Sequence, residues 1–162
     1  LPNVAGAVLL AKVVRGQDEK SELSLPVAQA ALLFSLASAA AIVLLGPFLI
    51  QLSFPKYTAA YPILLWLLPG LVCTGFASVF NTKLGGQGYP PITLWAPAIA
   101  LAVNVPLNFT LITHMGLPGA ALANTLSYIL WALIITSHYR RRAHLPWSSF
   151  LHLPPLKPTI KK

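Results

Sequence analysis

Charged side chains are almost absent from the long central stretch of this sequence. Between Leu23 and Tyr139 the only ionised side chains are those of Lys56 and Lys83. Charged residues make up about a quarter of an ordinary globular sequence, because a water-soluble domain needs them to cover its surface. They make up 9% of this chain, whereas hydrophobic residues make up 56%. Lipid is therefore the solvent for this stretch, and the sequence predicts an integral membrane protein.

Four apolar segments predict an all-α membrane protein with four transmembrane helices. A helix needs about 20 apolar residues to cross a hydrocarbon core about 30 Å thick. Segment 83–90 is predicted not to be helical, because it holds three glycines and runs into a proline pair. Gly46 and Pro47 predict a kink or an early end of the first helix. The four predicted spans are residues 25–52, 58–82, 91–113 and 119–138.

The two ends of the chain differ from this four-helix part. The apolar run within residues 1–14 is too short to span a membrane, and it lacks the basic region of a signal peptide. We interpret it as the end of a preceding transmembrane helix, so the chain is expected to be the C-terminal fragment of a longer protein. The predicted organisation is a cytoplasmic loop at 15–24, the four-helix part at 25–139 and a basic cytoplasmic tail at 140–162.

The cations fall on one side of the four predicted spans. The segments before the first span, between the second and third, and after the fourth share one side of the membrane. Lys and Arg favour the cytoplasmic side, so we expect a multi-pass protein of the cytoplasmic (inner) membrane with its C-terminus inside. Anionic lipids are the expected partners of this charge, and no nucleic-acid-reading motif accompanies it. The cationic side holds Lys12, Arg15, Lys20, Lys83 and Arg140–Arg142, and the other side holds Lys56.

Four short motifs, in this order, carry a resemblance to a known family. They are YxxxYPILxxLLPG from Tyr57, LGGQGYP from Leu84, NVxLN from Asn104 and GLxGAALA from Gly116. Their order and spacing resemble the C-terminal part of the polysaccharide (oligosaccharide, O-antigen type) flippases. The wider superfamily also holds multidrug-extrusion transporters and lipid II flippases.

The resemblance implies a transporter of twelve helices in two six-helix lobes around a central cavity. Members of the family move lipid-linked oligosaccharides from the inner to the outer leaflet for surface polysaccharide assembly. On this resemblance, residues 1–54 correspond to the end of helix eight and helix nine, and the rest to the last three helices. The implied partners are the lipid-linked oligosaccharide and a missing N-terminal lobe of the same protein.

Three asparagines are the candidate residues for a polar path. Asn104 and Asn108 are four residues apart, so they share one face of the third helix. An amide in hydrocarbon is costly unless it is bonded, and polar groups in spans usually face the bundle or a cavity. Asn124 is the third cavity-lining candidate, and its alternative role is an interhelical hydrogen bond. The functional interpretation of Asn104 and Asn108 is that they line the path and hydrogen-bond sugar hydroxyls or a displaced backbone carbonyl. The structural alternative is that they bond across helices and replace hydrogen bonds lost at Pro97 and Pro106.

Pro69, Gly70 and Pro106 are the candidate hinge residues. They are predicted to break their helices at mid-membrane depth. Lipid does not tolerate the backbone groups exposed by a break, whereas a cavity or a packed neighbour does. The functional interpretation is a hinge for alternating access, and the alternative is a static kink.

Small residues at every fourth position of the fourth helix predict close packing. Gly119, Ala123 and Ser127 lie on one helix face and allow a neighbouring backbone to approach.

Lys83 is the candidate contact for a lipid headgroup. A lipid diphosphate needs a cation where it enters, and this lysine is predicted at the cytoplasmic end of the second helix. A lysine there is also the usual topological anchor, so both interpretations stay open.

The sequence contains no recognisable set of catalytic residues. No carboxylate follows Glu22, and the four histidines are scattered, so we expect neither an enzyme nor a metal or cofactor site. The missing carboxylates also exclude a buried acidic relay for protons or sodium from this stretch. Two alternatives to a flippase remain. One is a multidrug or cation antiporter of the same superfamily, and the other is a non-transporting scaffold that assembles glycosyltransferases.

Overall fold

The computed structural model of the chain describes residues 24–53, 55–88 and 90–144. Within these ranges the protein is helical and contains no strand. The helices are α1 (Ser24–Ser53), α2 (Ala60–Gly86), α3 (Ile92–Met115) and α4 (Leu117–Ala143), and a single 3-10 turn (Pro55–Tyr57) joins α1 to α2. The predicted helix remnant at 1–14, all but the last residue of the predicted loop 15–24 and the residues after 144 lie outside the described part.

All four helices are long and apolar enough to cross a membrane. The shortest, α3, has 24 residues, and at 1.5 Å per residue it reaches about 36 Å, more than the roughly 30 Å of a hydrocarbon core. Within the described residues, the prediction of four helical spans in this order, and with it that of a multi-pass membrane protein, is therefore confirmed.

The boundary between α2 and the following loop differs from the prediction. Residues 83–86 continue α2, so the prediction that the glycine-rich segment is not helical is wrong for its first half. Lys83, Leu84 and Gly85 are buried, and tertiary packing of this kind outweighs the roughly 1 kcal/mol helix penalty of a glycine. The helix ends at Gly86, and the turn that follows contains Gly88, whose φ of 100° favours glycine.

Helix α1 does not end at its glycine–proline pair. It continues to Ser53 with Pro47 inside it, so the alternative of an early helix end is wrong. Proline cannot donate to the carbonyl four residues earlier, which is that of Val43. The hydroxyl of Tyr61, in the first turn of α2, donates to this same carbonyl oxygen at 2.8 Å. A side chain of the next helix thus replaces the missing amide, which is how neighbouring helices make proline tolerable in a membrane.

Helix α4 is longer at its C-terminus than predicted. It includes Arg140–Arg142 in its last turn and ends at Ala143, and the next residue, His144, adopts a left-handed conformation with φ 53°. Cations in the last turn are favourable because the helix macrodipole is negative there. The arginines assigned to the basic tail are therefore helical.

The four helices are arranged in space in the order α1, α2, α4, α3. Helix α2 packs against α1 on one side and α4 on the other, α4 packs against α3, and α3 has few contacts with α2. The most completely buried cluster forms where α1 and α3 begin and α2 and α4 end. Its members are Ala28, Ala31, Val79, Phe80, Leu84, Ala96, Ile135 and Tyr139.

Glycines mark the closest contacts of α4 with its neighbours. A Cβ at Gly70 of α2 would lie 2.9 Å from the Cα of Thr125, so these two backbones touch at the crossing. A Cβ at Gly119 would overlap the carbonyl of Leu111 in α3. The predicted small-residue face of α4 is buried at Gly119, Ala123 and Ser127, and the prediction of close packing there is confirmed.

Candidate functional site

A cleft of about 500 Å³ opens between α3 and α4, with one contribution from α2. Each of the two main helices lines it with residues spaced i, i+3, i+4 and i+7, which is a single helix face. These residues are Pro97, Ala100, Leu101 and Asn104 from α3, Asn124, Ser127, Tyr128 and Trp131 from α4, and Thr74 from α2.

The polar part of the cleft lies near the middle of the spans. Helices α3 and α4 are joined at Gly116, whose φ of 66° allows a tight turn and whose amide donates to the carbonyl of Ile112 at 2.8 Å. Asn104 precedes this turn and Ser127 follows it, each about 16–18 Å away at 1.5 Å per residue. Since the hydrocarbon core is about 30 Å thick, both side chains lie close to mid-membrane depth.

A chain of hydrogen bonds connects the two helices at this depth. The Asn104 Nδ2 group donates to Asn124 Oδ1 at 2.9 Å and to Ser127 Oγ at 3.1 Å. Asn108 Nδ2 donates to Asn104 Oδ1 at 2.8 Å and to the Asn104 carbonyl at 3.0 Å. Ser127 Oγ donates to the Ala123 carbonyl at 2.9 Å. We call Asn104, Asn108, Asn124 and Ser127 the amide network.

The amide network leaves a defined polar group available to a ligand. Both ends of the Asn104 amide are occupied, and Asn124 Oδ1 accepts from it. Asn124 Nδ2 has no hydrogen-bond partner among the described residues, yet it is not one of the fully buried unpaired atoms. Because Asn124 lines the cleft, the group that remains accessible there is a hydrogen-bond donor.

The structure brings the three predicted asparagines together, in different positions. Asn104 and Asn124 line the cleft and bond each other across α3 and α4, whereas Asn108 lies beside the cleft and holds Asn104. The expected interhelical bond is therefore present. The carbonyl that would pair with a backbone amide at position 106 is that of Ala102, four residues earlier. Asn108 donates instead to the Asn104 carbonyl, so it does not replace the hydrogen bond lost at Pro106. Contact of these asparagines with a substrate stays a prediction.

Aromatic residues of the cleft were missed by sequence reasoning. Trp131 packs against the buried cluster and also lines the cleft, so its ring is held from one side. Tyr128, one turn earlier, is 39% exposed. The spacing Asn124, Ser127, Tyr128 and Trp131 was the available signal, because amphipathic side chains on one face of a span indicate a cavity or a polar partner.

Lys83 lies away from the cleft, at the end of the bundle where α2 and α4 terminate. Its side chain is buried, with 0% exposure, and Nζ lies 5.7 Å from the ring centroid of Tyr139. Tyr139 in turn stacks on Phe80 with centroids 4.5 Å apart. A headgroup contact needs an accessible ammonium group, so in this structure the lysine would have to be uncovered first. The contact stays a prediction.

The predicted hinge residues lie in continuous helices. Helix α2 runs through Pro69 and α3 through Pro106, so the prediction that these residues break their helices is wrong. In α2 the hydroxyl of Thr125 donates to the carbonyl of Trp66 in the turn that Pro69 disturbs. Gly70 packs directly on α4. Neighbouring groups thus stabilise the α2 backbone, and a hinge motion stays a prediction.

No group of three His, Cys, Asp or Glu residues that could hold a metal ion occurs within the described ranges. The three acidic residues of the sequence, Asp18, Glu19 and Glu22, precede those ranges. The functional groups that line the cleft are therefore amides, hydroxyls and aromatic rings, and none of its described lining residues is charged.

No protein-family model, no curated protein and no solved structure matches this chain. The resemblance to flippases depends on its four motifs, and what it implies about function is therefore a proposal.

Proposed function

We propose that this chain is the C-terminal part of a flippase that moves a lipid-linked oligosaccharide across the cytoplasmic membrane. The observation that carries the proposal is the uncharged, hydrogen-bonding cleft between α3 and α4 at mid-membrane depth. Polar side chains at this depth are expensive, and they mark substrate pathways when they face a cavity. Such a cleft would line part of the route of a polar headgroup through the membrane.

The chemistry of the cleft fits a glycan. A sugar ring has hydroxyl groups at its edge and apolar C–H groups on its faces. The cleft offers the NH₂ group of Asn124, beside the internally bonded side chains of Asn104 and Ser127, and aromatic surface at Tyr128 and Trp131. Binding sites combine apolar and aromatic walls with a few placed polar groups in this way.

The distribution of cations supports the proposed orientation. Lys83 at the end of α2 lies close to Tyr139, which directly precedes Arg140–Arg142 at the end of α4. The cationic ends of these two helices therefore share one end of the bundle. Positive charge favours the cytoplasmic side, which supports a cytoplasmic C-terminus. In the proposed protein an N-terminal six-helix lobe faces the cleft and completes a twelve-helix, two-lobe transporter.

Alternating access gives the hinge candidates their proposed role. Closing the cleft on one side and opening it on the other requires α3 to move relative to α4. Pro106 lies next to the amide network in sequence, so bending there would shift Asn108 relative to Asn104. Pro69 and Gly70 would allow α2 to follow α4, to which it is packed.

The described cleft favours a neutral glycan over a cationic drug. A cation antiporter needs a carboxylate or an aromatic-lined site. The cleft meets the second requirement with Tyr128 and Trp131, but none of its described lining residues is acidic, so the charge of a cation would stay uncompensated. A scaffold for glycosyltransferases would need no polar cleft at mid-membrane depth. Both alternatives are distinguished by the same transport experiment.

The experiment measures movement of a polyprenyl-diphosphate oligosaccharide by the complete protein in liposomes of phosphatidylethanolamine and phosphatidylglycerol. A fluorescent label on the glycan reports its leaflet through quenching by an impermeant reductant. We expect the double variant Asn104→Ala with Asn108→Ala to lose at least about tenfold in rate, since it removes the hydrogen bonds, of about 1 kcal/mol each, that orient Asn124 and join α3 to α4. The control is Thr110→Val, which removes a hydroxyl bonded within α3 itself.

Three outcomes would contradict the proposal. Unchanged transport and protein level in the double variant would exclude the cleft as the path. Absence of glycan movement with retained binding of glycosyltransferases would favour the scaffold. Efflux of cationic dyes without glycan movement would favour the antiporter.

A further inference from the structure

We infer that Asn124 and Trp131 form a subsite for one neutral sugar ring within the cleft. The inference rests on the proposed function for the identity of the substrate. It goes further in naming the two side chains that bind the ring and in assigning the polarity of the contact.

Trp131 supplies a fixed apolar surface. Part of its side chain packs against the buried cluster near the ends of α2 and α4, and the remainder lines the cleft. An aromatic ring anchored in this way loses little conformational freedom when a ligand binds, which lowers the cost of binding. Its flat face matches the apolar C–H face of a sugar ring.

Asn124 supplies the polar contact on the same face of α4. It lies seven residues before Trp131, about 10 Å along the helix axis at 1.5 Å per residue, and both residues line the cleft. Tyr128 lies between them and is exposed. In the inferred subsite, the face of one ring lies against the indole and an oxygen at the edge of the ring accepts from the amide.

The amide network determines which end of the Asn124 amide meets the ligand. Asn124 Oδ1 accepts from Asn104, and Asn104 cannot reverse its own amide without losing the bond from Asn108. The NH₂ group of Asn124 is therefore the end presented to the cleft. It takes an acceptor, such as a hydroxyl or ether oxygen. Asn108 acts as a positioning residue from outside the cleft.

This polarity distinguishes a sugar from an organic cation. Tyr128 and Trp131 alone could hold a cation, because aromatic faces attract one. A cation would also need a negative group to compensate its charge, whereas the accessible amide end is a donor and none of the described lining residues is acidic. An unpaired charge in a low-dielectric site is costly, so a neutral ring is favoured.

The test measures binding of octyl glucoside below its solubilising concentration to the full chain in nanodiscs. Variant W66F/W95F/W147F leaves Trp131 as the single tryptophan, so its emission reports the subsite directly. We expect a saturable spectral shift with octyl glucoside. The same concentrations of n-octanol and octyltrimethylammonium should give no saturable shift.

A second substitution in this background tests the donor. Asn124→Leu keeps the approximate size and removes the amide, and we expect affinity to fall about 3- to 10-fold, as for the loss of one hydrogen bond. The matched control is Ser38→Ala, which lies in a separate apolar pocket between α1 and α2 and should leave the affinity unchanged. If the single-tryptophan protein is not recovered folded, the difference between the spectra of wild type and Trp131→Phe gives the same measurement.

The inference is overturned if no saturable shift occurs, if n-octanol gives the same shift, if the ammonium probe binds more tightly, or if Asn124→Leu binds unchanged. Binding failure with intact glycan transport would remove the subsite and leave the proposed function standing. Intact binding without transport would remove the proposed function and leave the subsite standing.

Discussion

The hydrogen bond from Tyr61 to the Val43 carbonyl should stabilise the protein only because Pro47 occupies α1. The bond has an oxygen–oxygen distance of 2.8 Å. Its acceptor is the carbonyl that an ordinary residue at position 47 would pair through its backbone amide. We expect Tyr61→Phe to destabilise the protein in the presence of Pro47 and to be almost neutral when residue 47 can donate.

The expected magnitude follows from where the bond lies. Interhelical hydrogen bonds in membranes contribute about 0.6 kcal/mol on average and up to about 1.7 kcal/mol. Tyr61 is in the first turn of α2, close to the membrane boundary, where water competes for the carbonyl. We therefore expect Tyr61→Phe to lower the free energy of unfolding by about 0.6 kcal/mol. In the Pro47→Ala background the new backbone amide at position 47 satisfies the Val43 carbonyl, so the same substitution should change it by less than about 0.2 kcal/mol.

The assay is a double-mutant cycle on the full chain in detergent micelles. Unfolding is titrated with sodium dodecyl sulfate and followed by far-UV circular dichroism for wild type, both single variants and the double variant. The control is Thr113→Val, because the Thr113 hydroxyl is exposed and donates to carbonyls of its own helix. Equal destabilisation by Tyr61→Phe in both backgrounds would contradict this role of the bond, because the tyrosine would then be stabilising α1 independently of the proline.

Three further outcomes follow from the packing of the helices. Gly70→Val should prevent recovery of folded protein or lower the unfolding free energy by at least about 2 kcal/mol, because its Cβ would lie 2.9 Å from the Thr125 Cα. The control is Ala98→Val on the exposed face of α3. Equal stability of the two variants would contradict the close crossing of α2 and α4. Asn104→Leu should cost about 1–2 kcal/mol in the same titration, since it removes two donated bonds and one accepted bond, and a neutral result would mean that the amide network is not stabilising. A membrane-permeant amine reagent should modify the exposed Lys56 and spare the buried Lys83, as read by peptide mass spectrometry; modification of both at similar rates would show that Lys83 is accessible.

The number and order of the helices could be predicted from the sequence because charge and hydropathy depend on local composition. Their ends could not, since Lys83 and Gly85 remain helical only through burial against distant segments. The ring of Tyr139 beneath Lys83 lies on another helix, and no local pattern indicates that contact. Proline effects were misjudged for the same reason, because the compensating hydroxyl of Tyr61 is on a neighbouring helix.

The candidate site was predictable in part. Asparagine is rare enough in a span that Asn104 and Asn124 were identified by type, and their meeting requires only that α3 and α4 form an antiparallel pair around Gly116. Tyr128 and Trp131 were missed because aromatic residues are common in spans, and their type alone does not separate a cavity wall from a lipid-facing surface. The i, i+3, i+4, i+7 spacing with Asn124 and Ser127 carries that information.

The spatial order α1, α2, α4, α3 has a consequence for how the protein is made. Helix α3 is synthesised before α4 but is held to the bundle through it, so a nascent chain that stops at Met115 has a third span with little to hold it. The amide of Asn104 would then face lipid without Asn124 and Ser127, its partners on α4. Assembly therefore depends on α4 entering between α2 and α3, which are already in the membrane. A chain truncated before α4 would expose an unpaired amide in the bilayer, the kind of defect by which membrane quality control recognises an incomplete product.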